Sequence, residues 1–124
     1  MKKHILIVDD EEDIRSLLSE FLAGSGFTVS AVPSLAAALE SIRRQAPSLI
    51  ISDLQLEDAD GLEMIAKLRA AQPDAPVILL TGVLFGPKTV SDVLLSKVTC
   101  YLPKTCSLSI ILENVRRLTE APAA

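Results

Sequence analysis

The chain has 124 residues, 49% of them hydrophobic and only 3% aromatic, with 12 Lys and Arg against 16 Asp and Glu for a formal net charge of −4. That length gives one domain with a core of its own, built mainly from Leu, Ile, Val and Ala, and the composition excludes a disordered chain. The acidic balance, without a basic stripe or interleaved aromatics, argues against direct nucleic-acid binding.

The first element read along the chain is Ile5-Leu6-Ile7-Val8. Four uninterrupted apolar residues are the signature of a strand covered on both faces. The run is too short for a signal peptide or a membrane span, so a cytoplasmic location is expected. His4, just before it, is expected to be exposed and inert. Five acids follow at once, Asp9-Asp10-Glu11-Glu12-Asp13. Like charges this close repel and raise one another's pKa, so something must gather them. Glu11, Glu12 and Asp13 read as first-turn acids that complement the positive end of a helix. Ile14, Leu17, Leu18, Phe21 and Leu22 supply that helix with an inward face, and Gly24 and Gly26 stop it.

Thr28 to Val32 is a weaker strand. Ser34 caps a second helix with Leu35, Leu39 and Ile42 inward and Pro47 beyond its end. Leu49 to Ile51 and Val77 to Leu80 repeat the buried-strand pattern. A third helix between them starts near Gly61, carries Leu62, Ile65 and Leu68, and ends before Pro73. A fourth helix is expected from about Pro87, with Val90, Val93 and Leu94. Cys100 to Leu102 reads as a last strand, and a fifth helix after Ser107 packs Leu108, Ile111, Leu112, Val115 and Leu118. Five strands alternating with five helices imply a parallel sheet with helices on both faces, its ligand site beyond the carboxyl ends of the strands. Cys100 and Cys106 are not spaced as a metal motif, and with a single histidine the chain lacks the ligands of a Cys/His zinc site, so the cysteines read as reduced packing residues.

The chemistry lies in what ends each strand. Asp9 and Asp10 follow the first, Asp53 the third, Thr81 the fourth, and Lys104 stands after the fifth. Three carboxylates in one pocket are tolerable around a hard divalent cation such as Mg²⁺, which takes oxygen ligands and keeps open positions. A carboxylate beside such a metal can attack phosphorus and form an aspartyl phosphate. Lys104 and the Thr81 hydroxyl are suited to hold the transferring phosphoryl group.

With IVDDE, LIISDLQLEDADGLE, ILLTG and YLPK in this order along nearly the whole length, the chain resembles the receiver domain of the two-component response-regulator family. The resemblance implies a flavodoxin-like doubly wound sheet of five parallel strands in the order 2-1-3-4-5 with five helices. It implies a receiver domain over residues 1–119, with 120–124 a tail or the start of a linker. Asp53 would be the phosphoacceptor, supplied by a histidine kinase or histidine phosphotransfer protein. Asp10, Asp53 and the backbone carbonyl of Gln55 would ligate Mg²⁺ (or Mn²⁺), with Asp9 reaching the metal through water. Lys104 and Thr81 would contact the phosphoryl group, and Thr81 and Tyr101 would form the switch. Phosphorylation would then change the face made by the fourth helix, fifth strand and fifth helix, controlling a partner protein or attached output domain. The domain would be a monomer or a phosphorylation-linked dimer, and not an enzyme that turns over external substrates.

Three positions depart from the family pattern. Glu57 replaces a proline usual four residues after the acceptor. Lys104-Thr105 replaces Lys-Pro, and because a cis bond before a non-proline costs about 3–4 kcal/mol, a trans bond is expected. The loop Gly82-Val83-Leu84-Phe85-Gly86 is apolar for a site rim and suits either extra core or a docking surface. Two other functions stay open: a pseudo-receiver that binds partners without phosphate, and an Mg²⁺-dependent phosphatase. The latter commonly places a second Asp two residues after its nucleophile, where this chain has Gln55.

Overall fold

The computed structural model describes residues 3–53, 61–81, 100–103 and 106–120. The elements run β1 (His4–Val8), α1 (Glu12–Gly24), β2 (Thr28–Val32), α2 (Leu35–Arg44), β3 (Leu49–Ser52), α3 (Gly61–Ala71), β4 (Val77–Thr81), β5 (Cys100–Pro103) and α4 (Leu108–Glu120). The sheet has the order β2-β1-β3-β4-β5, and every neighbouring pair is parallel.

The five-helix expectation is corrected: the described residues contain four helices. The helix expected from Pro87 falls within residues 82–99, outside the described residues. Its basis was thin, since Val90, Val93 and Leu94 make only a partial apolar stripe and the alternation of elements carried the rest. The Lys104-Thr105 bond, Glu57 and the Gly82 to Gly86 loop also lie outside the described residues.

The continuous apolar runs follow from a sheet packed on both sides. Side chains alternate along a strand. Leu6, Val8, Ile50, Val77 and Leu79 therefore meet α2 and α3 through Leu35, Ala38, Ile42, Met64, Ile65 and Leu68. Ile5, Ile7, Leu49, Ile51, Ile78 and Leu80 meet Leu18 and Leu22 of α1 and Ile111 and Val115 of α4 on the other face. Cys106 packs at the margin of that second cluster.

Local signals fix where helices begin and end. The Ser34 side chain accepts the Ala37 amide at 3.2 Å and caps α2. After α1, Phe27 N–H donates to the Leu22 carbonyl and Gly26 N–H to the Ala23 carbonyl, the double closure of a Schellman turn. Gly26 sits at φ +102°, a conformation that suits glycine.

Two residues depart from expectation. Leu17 is 49% exposed, because α1 turns the Leu18–Leu22 side toward the sheet. His4 is buried, at 7% exposure, as the first residue of β1. Its register opposite Thr28 brings two hydroxyls of β2 to the ring. Nδ1 lies 2.8 Å from Thr28 Oγ1 and Nε2 3.0 Å from Ser30 Oγ. Desolvation lowers the His4 pKa below its ordinary value of 6.5.

Candidate functional site

The direction of the chain reverses between β1 and β3: it leaves β1 for β2 on one side and returns to β3 on the other. Carboxyl ends of strands on either side of such a reversal form a crevice. Here Val8 of β1 pairs with Ser52 of β3, so Asp9 and Asp53 are the next residues on adjacent strands. Both continue the ladders. Asp53 N–H donates to the Val8 carbonyl at 2.9 Å, and Asp9 N–H to the Val32 carbonyl at 3.0 Å. The backbone thus fixes the origin of two site side chains before any side-chain interaction is considered.

Asp9 is 2% exposed and Asp53 5%, while Asp10 is exposed. The three carboxylates offer ligand oxygens that all lie within 4.8 Å of one another. This convergence suits a hard divalent cation, which replaces the repulsion of the acids with attraction. The residues present fit such an ion on donor chemistry: oxygen only, anionic and partly buried.

The start of α1 adds positive potential. Asp9 Oδ1 accepts the Glu11 amide at 2.9 Å, and Glu12 and Asp13 lie in the first helical turn, as expected of acids at a helix N-terminus. Arg15, from the same end of α1, donates through Nη1 to the Asp9 carbonyl at 2.8 Å. The sequence reading did not single out Arg15. Its signal was its place about one turn into the helix, since long helical side chains fold back toward the N-terminus. On β3, Ser52 Oγ donates to the Asp53 carbonyl at 3.2 Å and lies 3.1 Å from Met64 Sδ.

Thr81 ends β4 and pairs with Pro103 of β5, at the same edge of the sheet, and Tyr101 pairs with Leu79 within β5. Lys104 and Gln55 lie outside the described residues. Asp9, Asp10 and Asp53 are thus the expected site residues that the structure brings together in one cluster. No described helix is long and apolar enough to cross a membrane.

Residues 5–116 match the family model described as the response regulator receiver domain. The chain belongs to that family. The crystal structure of a two-component response regulator from Clostridium difficile superposes with a TM-score of 0.89 over 99% of this chain and 100% of that one. At 24% identity it bears on the fold alone. A response regulator of Burkholderia pseudomallei, solved with a phosphorylated aspartic acid, a calcium ion and citrate, gives a TM-score of 0.82 at 28% identity, covering 96% of this receiver and 70% of that chain. Transcriptional regulatory protein GlrR of Escherichia coli (strain K12) is 37% identical over 79 residues, which are 64% of this receiver and 18% of that protein. This receiver spans less than a fifth of the length of the first curated relatives it matches.

Proposed function

We propose that this receiver is a phospho-accepting signalling switch with Asp53 as its acceptor. The observation that carries the reading is the convergence of Asp53 with Asp9 and Asp10 at the strand ends of a receiver-family chain. A carboxylate oxygen of Asp53 attacks the phosphorus of a phosphohistidine on a histidine kinase or phosphotransfer protein. The new O–P bond forms as the P–N bond breaks, and the departing imidazole nitrogen keeps the electron pair and takes up a proton. The products are an aspartyl phosphate and a neutral histidine. The chain accepts the group on its own residue and is no turnover enzyme on external substrates.

Asp10, Asp53 and the Gln55 carbonyl would hold Mg²⁺ (or Mn²⁺), with Asp9 supporting it through water. The ion supplies charge neutralisation for the phosphoryl oxygens. The Burkholderia regulator, with its phosphorylated aspartic acid and calcium ion, supports pairing an acceptor with a divalent cation. Asp9 keeps the cluster anionic and is held at its backbone, so the acceptor meets a fixed neighbour. Lys104 and Thr81 take the phosphoryl oxygens. Their movement toward the new charge, with Tyr101, biases a two-state equilibrium of the face that carries β5 and α4. That face controls a partner protein or an attached output domain, as a monomer or as a phosphorylation-linked dimer, in the cytoplasm. The receiver domain occupies residues 1–119, and 120–124 begin a tail or linker.

The test is intact mass after incubation with a small-molecule phosphodonor, with and without Mg²⁺, on wild type and Asp53→Asn. One Mg²⁺-dependent, hydroxylamine-labile phosphoryl adduct is expected on wild type and none on the variant. An unchanged adduct on Asp53→Asn would remove the assignment, and absence of any adduct would favour a phosphate-independent binding module.

A further inference from the structure

The three acids are anchored unequally. Asp9 is held at its amide by the Val32 carbonyl, at Oδ1 by the Glu11 amide and at its carbonyl by the Arg15 guanidinium. The Asp53 amide is held by the Val8 carbonyl. Asp10 is the exposed member, and among the described residues no hydrogen bond ties its side chain. Its orientation has to come through the backbone. The Asp9 carbonyl and the Asp10 amide share one planar peptide unit. The Asp9 carbonyl held by Arg15 restrains the plane before the Asp10 Cα, and the Glu11 amide held on Asp9 Oδ1 restrains the plane after it, so together they set the direction in which the Asp10 side chain leaves the backbone.

We propose that Arg15 is a positioning residue for the divalent site: through the Asp9 carbonyl it orients the Asp9–Asp10 peptide and so aims the Asp10 carboxylate toward Asp53. This rests on the reading of the three acids as a divalent-cation site. Arg15 has two opposed effects on a cation. Its charge repels the ion, whereas its bond prearranges a ligand. The side chain is part exposed, so solvent and salt screen the repulsion. Contacts that orient metal ligands from outside the coordination sphere are worth about 10- to 100-fold in affinity. Orientation therefore wins, and the sign of the mutational effect separates the two.

The experiment is a calorimetric Mg²⁺ titration of wild type, Arg15→Gln, Arg15→Lys and Asp10→Asn, with melting of each also followed in EDTA. Arg15→Gln is expected to weaken Mg²⁺ binding about 10-fold. Its melting temperature in EDTA should stay within about 2 °C of wild type, which a merely structural role would not allow alongside the affinity loss. Arg15→Lys, which keeps the charge but offers an ammonium in place of the fork, should recover part of the affinity, and it serves as the second variant if the glutamine form folds poorly. Unchanged or tighter binding by Arg15→Gln, with wild type binding and Asp10→Asn not, would overturn the Arg15 role alone. A wild type that binds no Mg²⁺, or binds it equally well after Asp10→Asn, would overturn the divalent-site reading and this proposal with it.

Discussion

If three carboxylates are held together for an ion, the metal-free protein should carry the cost, and removing one charge should stabilise it. The isosteric change Asp53→Asn abolishes two of the three pairwise repulsions in the cluster. At the 4.8 Å that bounds the oxygen separations, one pair costs about 0.9 kcal/mol at the dielectric constant of water and about 3.5 kcal/mol at an effective value near 20. The Asp9–Asp53 pair is buried on both sides and belongs toward the larger figure; the Asp10–Asp53 pair, with one exposed member, belongs toward the smaller. The gross relief is thus about 4 kcal/mol. Against it stands the weaker hydrogen bonding that an amide makes in place of a carboxylate, about 2 kcal/mol. The net gain is about 2 kcal/mol, which raises Tm by roughly 8 °C for a chain of this size.

The assay is thermal melting in EDTA and again in saturating Mg²⁺. In EDTA, Asp53→Asn should melt above wild type. Mg²⁺ should close or reverse that gap, because an ion at 100 times its Kd adds about 2.7 kcal/mol to the protein that binds it. A variant that melts at or below wild type in EDTA would refute the reasoning. It would mean that the favourable interactions of a charged Asp53 outweigh the repulsion and that the cluster is not electrostatically poised.

Two further outcomes follow from the fold. The folded pKa of His4 is lowered, so as pH falls the unfolded chain takes up the proton first; stability is full above about pH 6.5, declines as pH drops toward the folded value, and levels off below it. Denaturant midpoints between about pH 8 and pH 5 should show that slope in wild type and not in His4→Gln, a clean contrast because the chain has no other histidine. At the end of α1, Gly26→Ala should cost about 1–2 kcal/mol from backbone strain alone, since a Cβ there meets nothing within 4 Å. Gly24→Ala, at the last residue of α1 with equally open surroundings, should instead stabilise by up to about 0.5 kcal/mol, and equal effects of the two in denaturant melts would refute the assignment of strain to Gly26.

The legible parts of this protein are those that local pattern determines. Unbroken apolar runs at Ile5–Val8, Leu49–Ile51 and Val77–Leu80 announced strands with both faces covered, and each face is filled. Ser34 announced a cap and serves as one. The acids at the strand ends were legible as a set, because alternation of elements brings all strand ends to one edge. What local pattern could not give depends on register and on which side of a helix meets the sheet. His4 is expected from sequence to be exposed and inert, yet pairing with Thr28 makes it the first rung of the sheet and brings two hydroxyls to its ring. Leu17 belongs to the apolar stripe of α1 by spacing alone, but the side of α1 that meets the sheet carries Ile14, Leu18, Phe21 and Leu22 and leaves Leu17 exposed. Arg15 is weakly marked in sequence, because its partner is a backbone carbonyl that any residue at position 9 would supply.

Register also ties the site to the core. Val8 opposes Ser52, and the next positions on the two strands are Asp9 and Asp53. A slip of one residue between β1 and β3 would separate the two acids along the sheet edge. The same slip would turn Ile5 and Ile7 against the pattern of Leu49 and Ile51 and send each apolar set to the wrong face. Packing against α1 and α4 on one side and α2 and α3 on the other forbids that slip on both faces at once. The spacing of two buried like charges, unfavourable when left to itself, is therefore enforced by the apolar core rather than by any contact between the charges. This is why the cluster can exist before an ion arrives, and why its geometry should survive the exchange of one carboxylate for an amide.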